Sequence, residues 1–198
     1  MFSGSISNVF MCGGIAGVAA NIRNCLVEGQ GANLSSAQIS VGGSINTSSG
    51  GGIAGTAKGY VEKCIVRNTA ITGVTTTSLP IAGISSTFQN NGYVTKCIVS
   101  NVLLNGTTIH GIAGTVANGT GTHSDNYASE VQYFENGNTG SYTPTNNKNS
   151  LDGATKKPAD LYERFYRARD FDMTDVWKWE NGNPVLMNVG YKGNISVE

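Results

Sequence analysis

Four short blocks built around an Ile-Ala-Gly theme recur along this 198-residue chain, and this repetition limits its possible folds more than any other feature. "GGIAG" runs from Gly13 to Gly17 and again from Gly51 to Gly55, "PIAG" ends at Gly83, and "HGIAG" ends at Gly114. On this alignment Ile15, Ile53, Ile81 and Ile112 are separated by 38, 28 and 31 residues. A second block follows each of the first three: "NIRNCLVEG", "YVEKCIVRN" and "YVTKCIVSN". A degenerate fourth copy is "HSDNYASEV", with Tyr127 assigned to the cysteine position. The blocks are apolar, β-branched and framed by Gly or Asn, which favours strands. A unit of about 30 residues with two or three strands cannot bury its own inner face, whereas stacked units can. The expected fold is all-β: a parallel β-helix (β-solenoid) of about four coils.

Stacking has a testable consequence, because equivalent residues of neighbouring coils become contact partners. Arg23 should meet Glu62, and Glu28 should meet Arg67. Val27, Val66 and Val99 should form one row, Ile22, Val61 and Val94 another, and Tyr60 should lie over Tyr93. Lys63 beside Lys96 is the discordant row, tolerable where solvent screens it. A phosphate-cradling loop is a poor fit to "GGIAGTAKG", which lacks the Gly, Lys and Ser/Thr spacing such a loop needs.

Residues 1–129 are assigned to the repeats, 130–157 to a polar excursion, and 158–198 to a cap of the same structural domain. In the cap, "PADLYERFYRARDF" predicts a short amphipathic helix with Leu161, Phe165 and Ala168 on one face. "DVWKWENGNPVLMNVG" predicts two strands joined by a tight turn. This segment is expected to cover the open end of the stack, with Trp177 and Trp179 sealing the core. No comparable lid precedes the first repeat, so further coils or a partner are expected there.

The chain resembles the glycine-rich GLUG repeats of bacterial surface proteins, especially of gut Bacteroidales, through "FSGSISN", the "GGIAG" copies, the "NCLVEG"-like blocks and a closing Gly182, Pro184 and Leu186. The resemblance implies an extracellular, cell-surface, adhesin-like module that binds or displays glycans or host and matrix proteins. No secretory signal is visible at the start, and a strand-like opening suggests a fragment of something longer.

Candidate chemistry is sparse. Lys plus Arg equals Asp plus Glu, 13 against 13, which argues against nucleic acid as a partner, and no apolar run is long enough for membrane insertion. Cys25, Cys64 and Cys97 share one register, with Cys12 elsewhere; stacked buried thiols fit better than disulfides, because in-register Cβ atoms stay farther apart than a disulfide allows. His110 and His123 lack zinc-ligand spacing, and no nucleophile context surrounds them. His110 stands where the other copies have glycine and reads as a coil-corner residue. Polysaccharide cleavage needs clustered carboxylates, yet Glu28 and Glu62 are the acids of the first 124 residues and both have pairing roles. Asp125, Glu130, Glu135, Asp170, Asp172 and Asp175 leave a calcium site conceivable, without calcium-motif spacing. Trp177, Trp179, Tyr162, Tyr166 and Tyr191 could stack on sugars, and the Asn46 and Asn105 triplets carry no message in a bacterial chain. No catalytic, cofactor or metal residue is therefore assigned. A carbohydrate-active β-helix enzyme, or its accessory domain, is the alternative, and a plain spacer a third.

Overall fold

The computed structural model describes residues 4–9, 11–29, 34, 37–41, 49–73, 80–89, 92–118 and 122–187. The described chain is nearly all β, and its sheets are largely parallel. Three four-stranded sheets are each built from one short strand per repeat. They are Met11–Gly13, Ser49–Gly51, Pro80–Ala82 and Thr108–His110; Ala16–Ala19, Ala54–Ala57, Ser85–Gln89 and Ala113–Asn118; and Ile22–Arg23, Tyr60–Glu62, Tyr93–Thr95 and Thr122–Ser124. A larger sheet orders Gly4–Val9, Ala37–Val41, Ile65–Gly73, Ile98–Gly106 and Tyr127–Glu135, with Leu26–Glu28 also beside Ile65–Gly73.

The register follows the sequence alignment closely. Val66 pairs with Val27 and Val99, Val61 with Ile22 and Val94, and Tyr93 with Tyr60. The two tyrosine rings stack at 5.7 Å. Arg67 grips both oxygens of Glu28, Nε at 2.7 Å and a terminal nitrogen at 2.9 Å, and Arg23 Nε reaches Glu62 at 3.0 Å. The lysine row is relieved individually: Lys63 lies 3.6 Å from Glu62, and Lys96 pairs with Asp170.

Two alignments need correction. Ile53 donates its N–H to Ile84 and Ile84 donates to Ile112, so Ile84, not Ile81, belongs with Ile15, Ile53 and Ile112. Ile81 instead pairs with Gly50 and Ile109, one strand earlier in the repeat. The Ile-Ala-Gly text of the third copy is therefore displaced by three residues from the structural repeat, because Ile fits both rows and Ser85 takes the place of Ala54. Likewise Tyr127 pairs with Ile98, which leaves Asn126 at the cysteine position. Fully buried Asn126 earns that place by accepting from the Cys97 N–H and donating to the Val94 carbonyl, both at 2.9 Å.

The repeated glycines serve close approach between backbones. A Cβ on Gly52 would lie 2.2 Å from the Gly83 carbonyl, and one on Gly83 2.2 Å from that of Gly111. Left-handed backbone falls elsewhere, on Asn24, Lys63, Lys96 and Asp125 before the row of Cys25, Cys64, Cys97 and Asn126, and on Asn68, Asn101 and Glu130 within the long strands. Those two rows bend the chain at the same place in each repeat.

Side chains alternate about this bend. Cys64 and Val66 face inward, with Cys97, Val99, Ile53, Ile84 and Ile112, into one core. Ile65 and Ile98 face the other way and form a second core with Tyr127, Phe165, Tyr166, Phe171, Met173 and Trp177. The C-terminal segment thus lies along the flank of the long sheet, where it covers the outward row Leu26, Ile65, Ile98 and Tyr127. This corrects the expected lid. The excursion closes the stack instead: Leu151 accepts from the N–H groups of Ile112 and Ala113, Ala154–Thr155 pairs with Tyr127–Ala128, and Tyr142 and Leu151 pack on the inner core. The last repeat strand also runs past residue 129, to Glu135.

Within that segment the helix is shorter than expected, a 3₁₀ turn at Pro158–Asp160 and an α-helix at Glu163–Arg167. Extended backbone at Tyr162 separates them, and Phe165 and Tyr166 are buried while Ala168 is exposed. The strand pair Trp177–Glu180 and Asn183–Leu186 forms as expected, around Asn181 and Gly182 at φ 50 and 77.

Replacing Gly52 by Ala should cost about 3 kcal/mol or more, since the rungs cannot part without losing hydrogen bonds. Arg67→Ala, which leaves the partly buried Glu28 without its bidentate partner, should cost about 3 kcal/mol, against less than about 1 for Arg23→Ala on the exposed pair. Urea unfolding of the three variants checks both orderings.

Candidate functional site

Where the C-terminal segment meets the long sheet, a groove of about 530 Å³ remains open. Its floor is two rows of the bend: Glu28, Arg67, Ser100 and Ser129 on one, Asn68, Asn101 and Glu130 on the other. The first row is outward by strand alternation, and the second by its left-handed backbone. Pro158, Leu161, Tyr166 and the turn residues Gly182 and Asn183 form the facing wall.

The floor is bonded along the stack. Asn101 Nδ2 donates to Asn68 Oδ1 at 2.8 Å, and Arg67 is tied to Glu28. Burial pushes the Tyr166 phenol up to about 12, opposed by the neighbouring Arg67 charge, so it stays protonated. Ser129 is 1% exposed, and among the described residues its hydroxyl has no hydrogen-bond partner. Chemically the groove offers amides, hydroxyls, one internally neutralised ion pair and one exposed carboxylate, Glu130.

Glu28 and Glu130 line the same groove but stand three strand spacings apart, roughly 14 Å at the usual 4.8 Å per strand. Paired glycosidase carboxylates sit about 5–9.5 Å apart. Three further acids have local partners. Asp170 pairs with Lys96, which holds its carboxyl below the ordinary value, and Asp172 accepts from the N–H groups of Thr174 and Asp175, which does the same. Asp125 lies near Lys148 and Arg169. Among the described residues, no three His, Cys, Asp or Glu side chains are grouped so as to hold a metal.

The four cysteines are free thiols, and Cys12, Cys64 and Cys97 are buried. Cys25, Cys64 and Cys97 each donate to the carbonyl two residues back, at 3.4–3.5 Å. Burial pushes the Cys64 thiol well up, and the hydrogen bond with Cys64 followed by burial raises Cys25, so these sulfurs are poor nucleophiles. Trp177 is wholly buried against Phe171 and Trp179 packs on Tyr166, so these rings hold the flank, while Tyr162 is 53% exposed. Tyr191 and Asn46 lie outside the described residues.

His110 stands in line with Ala82 and Gly51, one residue ahead of the close-approach glycine Gly111. Its Nδ1 shares a 2.9 Å hydrogen bond with the Tyr142 hydroxyl, which donates to Asp152 at 2.6 Å. Asp152 also accepts from the Gly111 and Thr145 N–H groups. Burial pushes this carboxyl up, but its four partners, His110 and Tyr142 foremost, outweigh burial and hold it below its ordinary value. No motif or spacing announces this cluster, whose members come from the last repeat and the polar segment. It fastens one to the other.

No family model matches the chain, and no curated protein matches it. Among solved structures it is similar to the crystal structure of a "putative immunoglobulin A1 protease" from Bacteroides ovatus, at 19% identity and a TM-score of 0.56. The match covers 93% of this chain and 55% of that one, so this chain spans about half the neighbour's length. At that identity the likeness concerns the fold alone.

His123 occupies the inward row of Val94 and meets the Phe88 ring edge-on. Burial, then the charge of His110, holds its imidazole below the ordinary value. A lowered folded value means that the fold favours the neutral ring. Its stabilisation is present above the unfolded value, about 6.5, and is lost as pH falls toward the folded one. Urea midpoints of the natural chain should therefore drop between pH 7 and pH 5, and His123→Val should flatten that slope. Equal slopes would clear His123 of the effect.

Proposed function

We propose that this chain is a parallel β-solenoid of about four coils that serves as a non-catalytic binding or display module on a bacterial cell surface. The repeat-by-repeat parallel pairing within the four sheets that the repeats build supports the solenoid. The extracellular setting, and glycans or host and matrix proteins as partners, rest on the resemblance to GLUG-type repeats. No helix among the described residues is long and apolar enough to cross a membrane. At the first repeat Ile15 is 51% exposed, whereas Ile53, Ile84 and Ile112 of the same row are fully buried. Further coils or a partner would cover it.

One observation carries the binding reading: the two acids of the first three repeats, Glu28 and Glu62, are consumed in tying neighbouring strands together. What remains on the long sheet's flank is an amide- and hydroxyl-rich surface with Glu130 as its exposed carboxylate, suited to many weak polar contacts. An enzymatic reading, as a carbohydrate-active or proteolytic unit, takes its support from the name of the Bacteroides ovatus neighbour and from Glu28 and Glu130 sharing a groove.

A combined array of glycans and matrix proteins tests the proposal. Saturable binding to at least one class, with the ligand recovered intact, is the expected result. Cleavage of a bound ligand would favour the enzyme, and silence on every spot would leave a spacer.

A further inference from the structure

We infer that Asn181 is a site of spontaneous deamidation and isoaspartate formation, from which the matching turn at Asn136 is protected. The inference is independent of the binding reading. Glu-Asn-Gly-Asn occurs twice, at 135–138 and at 180–183, and both copies fold alike. Each closes an antiparallel strand pair, with Glu135 opposite Asn138 and Glu180 opposite Asn183. The central residues are left-handed in both, Asn136 and Gly137 at φ 52 and 78, Asn181 and Gly182 at φ 50 and 77, as a two-residue hairpin turn of this kind requires. In each turn the last Asn donates its Nδ2 to the carbonyl of the first, at 3.4 and 3.3 Å. All four central residues are exposed, and a Cβ placed on either glycine would meet nothing within 4 Å. Sequence and local shape therefore give the two asparagines the same intrinsic reactivity.

Their anchoring differs. The first turn is tied to the long sheet: Asn136 donates its N–H to the Gly106 carbonyl at 3.0 Å, and Gly137 donates to Asn105 Oδ1 at 3.2 Å. Among the described residues, neither the Asn181 nor the Gly182 N–H makes a hydrogen bond, and the strands they join form a sheet of two. The difference matters because the glycine nitrogen is the nucleophile. It attacks Cγ of the preceding Asn and forms the N–Cγ bond of a cyclic imide, while the Cγ–Nδ2 bond breaks and ammonia leaves with the displaced amide proton. Water then opens the imide. Cleavage at Cγ gives Asp, and cleavage at the main-chain carbonyl gives isoaspartate, with no oxidation or reduction. Attack needs the turn to rotate and the nitrogen to be free, and glycine has no Cβ to obstruct it. Two hydrogen bonds must break first at Asn136, and none at Asn181. The new carboxylate would stand beside Gly182 and Asn183 of the groove wall. Isoaspartate would also lengthen the turn that sets the register beneath the buried Trp177.

The experiment ages the natural chain, Asn105→Ala and Asn105→Asp in mildly alkaline buffer and follows each asparagine by peptide mapping, with fragmentation that separates Asp from isoaspartate. Thermal melting establishes that the variants fold. In the folded natural chain Asn181 should convert at least about fivefold faster than Asn136, the factor that one retained hydrogen bond supplies. In urea the two rates should converge, since the sequences match. Asn105→Ala should speed conversion of Asn136, whereas Asn105→Asp, which keeps an acceptor for Gly137, should leave it slow. Conversion of Asn136 as fast as that of Asn181 in the folded natural chain, or an intact Asn181 after both have reacted in urea, would overturn the inference. An unchanged Asn136 rate in folded Asn105→Ala would overturn the anchoring as its cause. If Asn105→Ala fails to fold, the two turns of the natural chain decide between themselves. The isoaspartate form should unfold at lower urea than the fresh protein, and an equal midpoint would refute the effect on the flank.

Discussion

Parallel strands lie about 4.8 Å apart, and this spacing is the constraint on which the rest of the structure depends. It sets equivalent residues of successive repeats in contact, so the chain must choose side chains that tolerate their own neighbours. Where backbones approach closely, as at Gly52 and Gly83, even a methyl group would strike a carbonyl of the next repeat. Where side chains meet, apolar rows repeat themselves, and two charged rows alternate in sign, Glu28 with Arg67 and Arg23 with Glu62, while Lys63 and Lys96 each take a separate acid. The same spacing sets the backbones of Glu28 and Glu130 three strands apart, and it repeats the polar floor of the groove.

The bend before and within each long strand is the second determinant. Left-handed residues at Lys63 and Lys96, and again at Asn68 and Asn101, turn the chain at fixed points, so that Val66 and Val99 enter one core while Ile65 and Ile98 enter another. A protein with two cores on opposite sides of one sheet needs a cover for each. The aromatic C-terminal segment covers the outer one, and the segment around Asp152 closes the stack. The proposed solenoid is therefore braced on its flank as well as at its end.

Much of this was legible in the sequence because repetition turns alignment into contact. The valine row, the tyrosine stack and both ion pairs could be read directly, since each depends on the register of the cysteine blocks alone. The displaced third copy was not legible: Ile81 and Ile84 are equally apolar, and only the hydrogen bonds of the rungs distinguish them. The place of the aromatic segment was hidden for a related reason. Leu26, Ile65 and Ile98 read as core residues, and a strand pattern does not say which of two faces is covered by another segment. The groove eluded sequence reasoning because its walls are brought together by that packing, and its residual signal was the polar pair ending the second and third cysteine blocks, Arg67-Asn68 and Ser100-Asn101.

The register itself is the claim on which every other statement rests, and solution NMR measures it directly through proton contacts between backbones of neighbouring strands. The account predicts parallel-type contacts linking Leu26 to Ile65, Ile65 to Ile98 and Ile98 to Tyr127 in one continuous series. Antiparallel contacts among these strands, or a series offset by one residue that turns Val66 outward, would contradict it.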